Sequence, residues 1–141
     1  MPAAQRKYSE GLGTQITVPH GAATLVATSP KVSTSFPGCS FEVVFFGTFD
    51  AAADITGLQL TVNRDSISGQ QVGPGFVYDF AAGASGSFAV GVVDTFPIDA
   101  ANLAWALAML TTAGTDDGST IICTLASVTV DVGGAATITP D

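Results

Sequence analysis

One histidine, two cysteines and twelve carboxylates are the side chains of this chain best suited to chemistry. His20 stands between Pro19 and Gly21, residue types that make turns. A catalytic base needs a nucleophile or an acid converging on it. No Gly-x-Ser-x-Gly elbow, phosphate loop or kinase signature supplies one. Gly11-Leu12-Gly13 lacks the strand before it and the helix after it that a dinucleotide site requires. Cys39, Cys123 and His20 are too few and too scattered for a zinc set. Asp116 and Asp117 share a loop, and Asp94 and Asp99 flank four residues. Loop carboxylates can hold calcium, but no spacing here matches an EF-hand loop. Asp also starts turns by bonding its own backbone, which accounts for these positions more simply. A glycosidase would need two acids facing one cleft, and nothing in the sequence brings two together. The expectation is a protein that is not an enzyme, with no catalytic residue, no metal and no cofactor.

The remaining candidates are aromatic, basic and thiol groups. Phe46, Phe49, Phe76, Tyr78, Phe96 and Trp105 are rings that could stack on sugars, set against the core packing that large rings usually serve. Trp105 lies in the most apolar stretch, which points to core or interface. Arg64, the last basic residue, stands beside Asp65 at a strand end and is expected to meet a nearby carboxylate or a neighbouring subunit. Cys39 and Cys123 both sit in apolar runs. Two buried thiols are favoured over a disulfide, which two separated cysteines permit without demanding.

The elements that must position these groups read as strands. Blocks with period-two alternation recur about every ten residues between turn residues, the signature of an all-β sandwich or barrel. Thr14 to Val18 alternates and stops at Pro19. Ala22 to Thr28 stops at Ser29-Pro30. Phe41, Val43 and Phe45 share one face, with Glu42, Val44 and Phe46 on the other. Leu58, Leu60 and Val62 oppose Gln59, Thr61 and Asn63, so one face meets the core and the other meets water. Phe76, Tyr78 and Phe80 alternate with Val77 and Asp79. Phe88, Val90 and Val92 share a face whose reverse is Ser87, Ala89, Gly91 and Val93. That reverse is small enough for close approach by another backbone, or simply faces solvent. Residues 103–112 are ambiguous. Ala, Leu and Met favour helix, while Leu103, Trp105, Leu107 and Met109 fall on one strand face. A strand is preferred because Ser119 to Val132 is plainly β and Gly114 to Gly118 is suited to a hairpin between the two. The expected organisation is a flexible arm over 1–13, a β-sandwich over 14–132 and a tail over 133–141, loosely ordered or docked on a neighbour.

Composition sets the wider frame. Charged residues make up 11% of the 141 residues, against a usual share of about 25%. All four basic residues lie in 1–64, and Asp65 to Asp141 carries eight Asp with no Lys or Arg. With a net charge of −8 and no basic patch, nucleic acid and anionic membranes are repelled. No stretch reaches the ~20 apolar residues of a membrane span. The first residues carry charge with no apolar stretch behind them, which is not a secretory signal. Production in the cytoplasm follows as the expectation. So little charge leaves apolar surface to hide, so an oligomer or a docked protein is expected.

Leu58 to Asp65, a turn with Gly69, Ala82 to Val90, Val93 to Thr95, the Trp105 block and Ser119 to Val132 succeed one another in an order that resembles a known family. It is similar to small jelly-roll modules, related in shape to tumour-necrosis-factor and C1q heads, that decorate bacteriophage capsids or tip their fibres. The resemblance covers about residues 40–132, and the chain departs from it in the Ala/Leu/Met-rich block at 103–110. It implies a jelly-roll-like antiparallel β-sandwich, a homo-oligomer that is usually a trimer, a major capsid protein as partner and a place in the virion, with no catalytic residue carried over. Arg6, Lys7 and Tyr8 would fasten the arm to a shell, and Phe88, Val90 and Trp105 are the candidates for the oligomer interface. A carbohydrate-binding β-sandwich from a tail or surface protein is the alternative.

Overall fold

The computed structural model describes residues 7–29, 32–34, 39–96, 104–113, 120–132 and 138–140. They form strands and loops, with no helix among them. The strands are β1 (Lys7–Pro19), β2 (Thr24–Thr28), β3 (Val32–Thr34), β4 (Cys39–Ala51), β5 (Gly57–Arg64), β6 (Gln71–Asp79), β7 (Ser85–Phe96), β8 (Trp105–Ala113), β9 (Thr120–Val132) and β10 (Ile138–Pro140). One four-stranded sheet runs β1-β9-β4-β7 and a second runs β2-β8-β5-β6, while β3 and β10 make a two-stranded ribbon. All pairings are antiparallel.

Setting the ribbon aside, the eight remaining strands pair from the outside inwards. β1 pairs with β9, β2 with β8, β4 with β7 and β5 with β6. A long hairpin rolled around a core gives this nesting, and the result is the eight-stranded jelly roll. The expected all-β antiparallel sandwich is the fold.

Period-two alternation decides which side chains enter it. Phe41, Val43 and Phe45 on β4, Leu58, Leu60 and Val62 on β5, and Val128 and Val130 on β9 are fully buried between the sheets. Burying a side chain of this size stabilises by about 1.5–3 kcal/mol. β8 follows the same rule against its helix propensity. As a strand it lays Trp105, Leu107 and Met109 on the core face, all fully buried, between β2 and β5. At helical spacing Leu107 would point away from Trp105 and Met109, so packing overrides propensity.

Three expectations are corrected. First, β8 and β9 are not a hairpin: they lie in different sheets. β8 is a strand because it pairs with β2 and β5. Second, the arm does not extend to residue 13. Lys7 to Gly11 pair with Asp131 to Ser127 of β9, which makes the segment from Lys7 onward part of the sheet. Third, Ile138 to Pro140 pair with Thr34 to Val32 of the same chain rather than forming a loose or docked tail.

The β5–β6 loop is built for closeness. Asn63 donates from Nδ2 to the Gly69 carbonyl at 2.8 Å, and the Arg64 N–H donates to the Gln70 carbonyl. Asp65 takes a left-handed φ of 65°, which Asp tolerates better than most residues. A Cβ on Gly69 would come within 1.8 Å of the Arg64 carbonyl oxygen, so no side chain fits there.

Candidate functional site

Arg64, Asp94 and Trp105 form the most connected polar group described. They tie the sheets together: Asp94 is on β7, Arg64 on β5 and Trp105 on β8. Arg64 donates from Nε to Asp94 Oδ2 at 2.9 Å and from Nη2 to Oδ1, the two-point pairing that a guanidinium offers a carboxylate. Trp105 donates from Nε1 to Asp94 Oδ2 at 2.9 Å, and Arg64 also reaches Gln70 Oε1 at 3.2 Å. The Asp94 hydrogen bond, with its charge, raises the Arg64 pKa against the opposing effect of burial. Asp94 is only 4% exposed. A buried carboxylate is costly unless paired, and this pairing joins the two layers. Ser29 and Trp105 add a reciprocal clasp. The Ser29 N–H donates to the Trp105 carbonyl at 2.8 Å, and the Trp105 N–H donates to Ser29 Oγ at 2.9 Å.

The three residues expected at an oligomer interface lie elsewhere than expected. Phe88 (5% exposed), Val90 and Trp105 (both 0%) are core residues of a single chain. Trp105 packs against Phe41 with ring centroids 5.3 Å apart. Apolarity alone does not separate core from interface. Of the arm residues, Arg6 lies outside the described residues. Lys7 and Tyr8 begin β1 opposite Asp131 and Val130. His20 sits in the turn after β1, where the N–H of Gly21 donates to Thr111 Oγ1 at 2.8 Å. Asp99, Asp116 and Asp117 lie outside the described residues. No cluster of three or more metal-ligating side chains occurs among the described ones.

A disulfide within the chain is excluded by register. Cys123 is opposite Phe49 on β4, and Cys39 opens the same strand. Ten residues of strand separate Cys39 from Phe49, about 33 Å at ~3.3 Å each. Bridged cysteines need Cα atoms within ~7 Å. Cys123 is a buried free thiol, and burial pushes its pKa up to about 12.

The second candidate is the outer face of the sheet β1-β9-β4-β7. Its register sets residues in cross-strand rows. Val93, Glu42, Asp131 and Lys7 share the first row, and Gly91, Val44, Thr129 and Ser9 the second. Ala89, Phe46, Ser127 and Gly11 follow, then Ser87, Thr48, Thr124 and Gln15, and last Ser85, Asp50, Ile122 and Thr17. Carboxylates mark the two ends, and the middle is neutral. Val93 is 62% and Phe46 42% exposed, large values for apolar groups on one surface. At the Asp50 end an open groove of about 540 Å³ is lined by Gln15, Thr48, Asp50, Ser85, Ile122 and Thr124 among others. Ser85 Oγ donates to Asp50 Oδ1 across it at 2.7 Å.

The edges of the two main sheets differ in a way no residue list reveals. Exposed edges invite pairing, and proteins blunt them with short strands, bulges, Pro or Lys. β1 carries Lys7 and a register shift between Gly11 and Thr14. β2 has five residues and a shift between Leu25 and Ala27. β6 holds Pro74 in a shift opposite Leu60 and Val62. β7 has none of these. Its twelve residues pair with β4 without a break, and its outward residues Ser87, Ala89 and Gly91 are small. Tyr78 reaches the Ala89 carbonyl at 3.5 Å as a partial cover.

No family model matches the chain, and no curated protein sequence matches it. Solved structures do. A chain in the structure of infectious bursal disease virus, Gt strain, superposes with a TM-score of 0.60 at 12% identity, over 94% of this chain and 36% of that one. VP2 of the infectious bursal disease virus subviral particle gives 0.56 at 13% identity, over 96% and 37%. The Eiger TNF of S. frugiperda gives 0.51 at 12% identity, over 95% and 94%. The likeness is one of fold, and this chain spans about a third of the viral chains' length.

Proposed function

We propose that the chain is a structural virion protein, a capsid decoration (cement) protein that binds the outside of an assembled shell as an oligomer. The observation that carries this reading is the β7 edge: long, regular, free of Pro and Lys, and flanked by the exposed Val93. Such an edge favours being covered, and 11% charged residues leave little else to keep copies apart at short range. Jelly-roll neighbours among viral capsid proteins support the choice of assembly. A homotrimer is the proposed state. In a closed three-fold ring, β7 of each copy meets a different surface of the next. Binding only to the assembled shell, the oligomer stabilises that shell by mass action. The neutral, acidic-ended surface has no affinity for nucleic acid or anionic membrane.

Native mass spectrometry of the purified chain tests the reading. A trimer is the expected species, and Val93→Glu, which sets a charge beside the edge, shifts it to monomer. A monomer at micromolar concentration, unaffected by Val93→Glu, overturns the proposed interface.

A further inference from the structure

We infer that the groove at the Asp50 end of the outer sheet face binds a neutral sugar ring. This inference stands apart from shell docking, since it concerns one chain and a different end of the face. The groove gathers polar side chains from all four strands of the sheet. Gln15 comes from β1, Thr124 from β9, Thr48 and Asp50 from β4, and Ser85 from β7. They offer an amide, three hydroxyls and a carboxylate on one surface, a set matched to the paired donors and acceptors of vicinal hydroxyls. The 2.7 Å bond from Ser85 to Oδ1 holds the Asp50 carboxylate in place and leaves Oδ2 as an acceptor. A charged acceptor makes the stronger hydrogen bond to a hydroxyl.

Sugar rings also carry apolar C–H faces, and exposed apolar groups lie in the groove and farther along the same sheet face. Ile122, 37% exposed, is beside Asp50 in register. Phe46, 42% exposed, is two residues before Thr48 on the same strand, hence on the same face and about 7 Å along it. Of the rings singled out in the sequence, Phe46 is the one that stands exposed on this face, and rings of that kind supply apolar contact with fixed geometry. Charge narrows the ligand further. Asp50 is in the groove, no Lys or Arg lines it, and the chain carries −8. Anionic sugars and phosphates are therefore repelled, and an uncharged pyranose fits.

The test is an amide-resolved NMR titration of the full chain with methyl glucoside, methyl galactoside and methyl mannoside, with sialyllactose as the anionic comparison. Saturable shifts in the millimolar range are expected for at least one neutral sugar at Thr48, Asp50, Ile122 and Thr124. Asp50→Asn should weaken that binding at least tenfold, and Gln15→Ala severalfold. Glu42→Gln, at the other end of the face, should leave it unchanged. Absence of saturable shifts with all three neutral sugars overturns the inference. So does binding indifferent to Asp50→Asn in a folded variant, or sialyllactose bound as tightly as the neutral sugars.

Discussion

Asp94 shows how a single carboxylate can order a whole sandwich. It is 4% exposed and accepts from Arg64 and Trp105, residues of the opposite sheet. Removing Arg64 leaves that charge with fewer donors, and an unsatisfied buried group costs about 1–3 kcal/mol. Because the Arg64 side chain is itself 32% exposed, water replaces part of what is lost. Arg64→Ala is therefore expected to cost about 2 kcal/mol in urea unfolding, while Asp94→Asn, which keeps the shape, costs less. Equal or negligible losses in both would show that the pair is not what joins the layers. Cys123 gives a second prediction at this scale. Burial raises its pKa from 9.0 to about 12, so the fold favours the protonated thiol. The sign follows: this contribution is complete below pH 9 and is lost as pH rises from 9 towards 12. In a Cys39→Ser background, alkylation at pH 8 should be slow in the folded protein and fast in urea, because the thiolate is the reactive form. Fast alkylation of the folded chain would contradict the burial.

At the scale of elements, β1 carries the clearest consequence. Deleting residues 1–6 removes nothing from β1 (Lys7–Pro19), and Arg6 with it tests the shell-binding arm. The fold should persist and shell binding should fall. Deleting 1–13 strips half of a strand that pairs with β9 over its length, leaving backbone groups of β9 without partners. Circular dichroism and thermal melting should separate the two, the shorter deletion melting like the full chain and the longer one far below it. If both melt alike, the first half of β1 contributes nothing. β4 illustrates a different constraint. A Cβ on Gly47 would meet the Phe88 ring at 2.6 Å and the Thr124 carbonyl at 2.8 Å, so β4 has a glycine where its neighbours close in.

For the whole molecule, charge and assembly oppose each other. Each copy carries −8, and oligomerisation brings those charges together. Salt screens such repulsion over about 8–10 Å, so the proposed trimer should tighten as salt rises. Nucleic-acid binders behave the opposite way. Weaker association at higher salt would place ionic contacts at the interface.

The sequence by itself determined the fold class and which residues share a strand face. Phe41, Val43 and Phe45, then Leu58, Leu60 and Val62, then Phe88, Val90 and Val92 were legible because alternation is local: each residue's side of the sheet depends only on its neighbours in the chain. For β8 that rule fits a strand without excluding a helix, and the packing of the core decides between them. Only the tertiary structure decided which strands meet. That β8 lies between β2 and β5, that Lys7 to Gly11 join β9, and that Asp50 stands beside Ser85 and Ile122 all depend on segments tens of residues apart. Their pairing comes from closing the core, for which no short-range pattern exists. The same reason hid the true positions of Phe88, Val90 and Trp105, since an apolar side chain looks alike in sequence whether its own chain or another covers it.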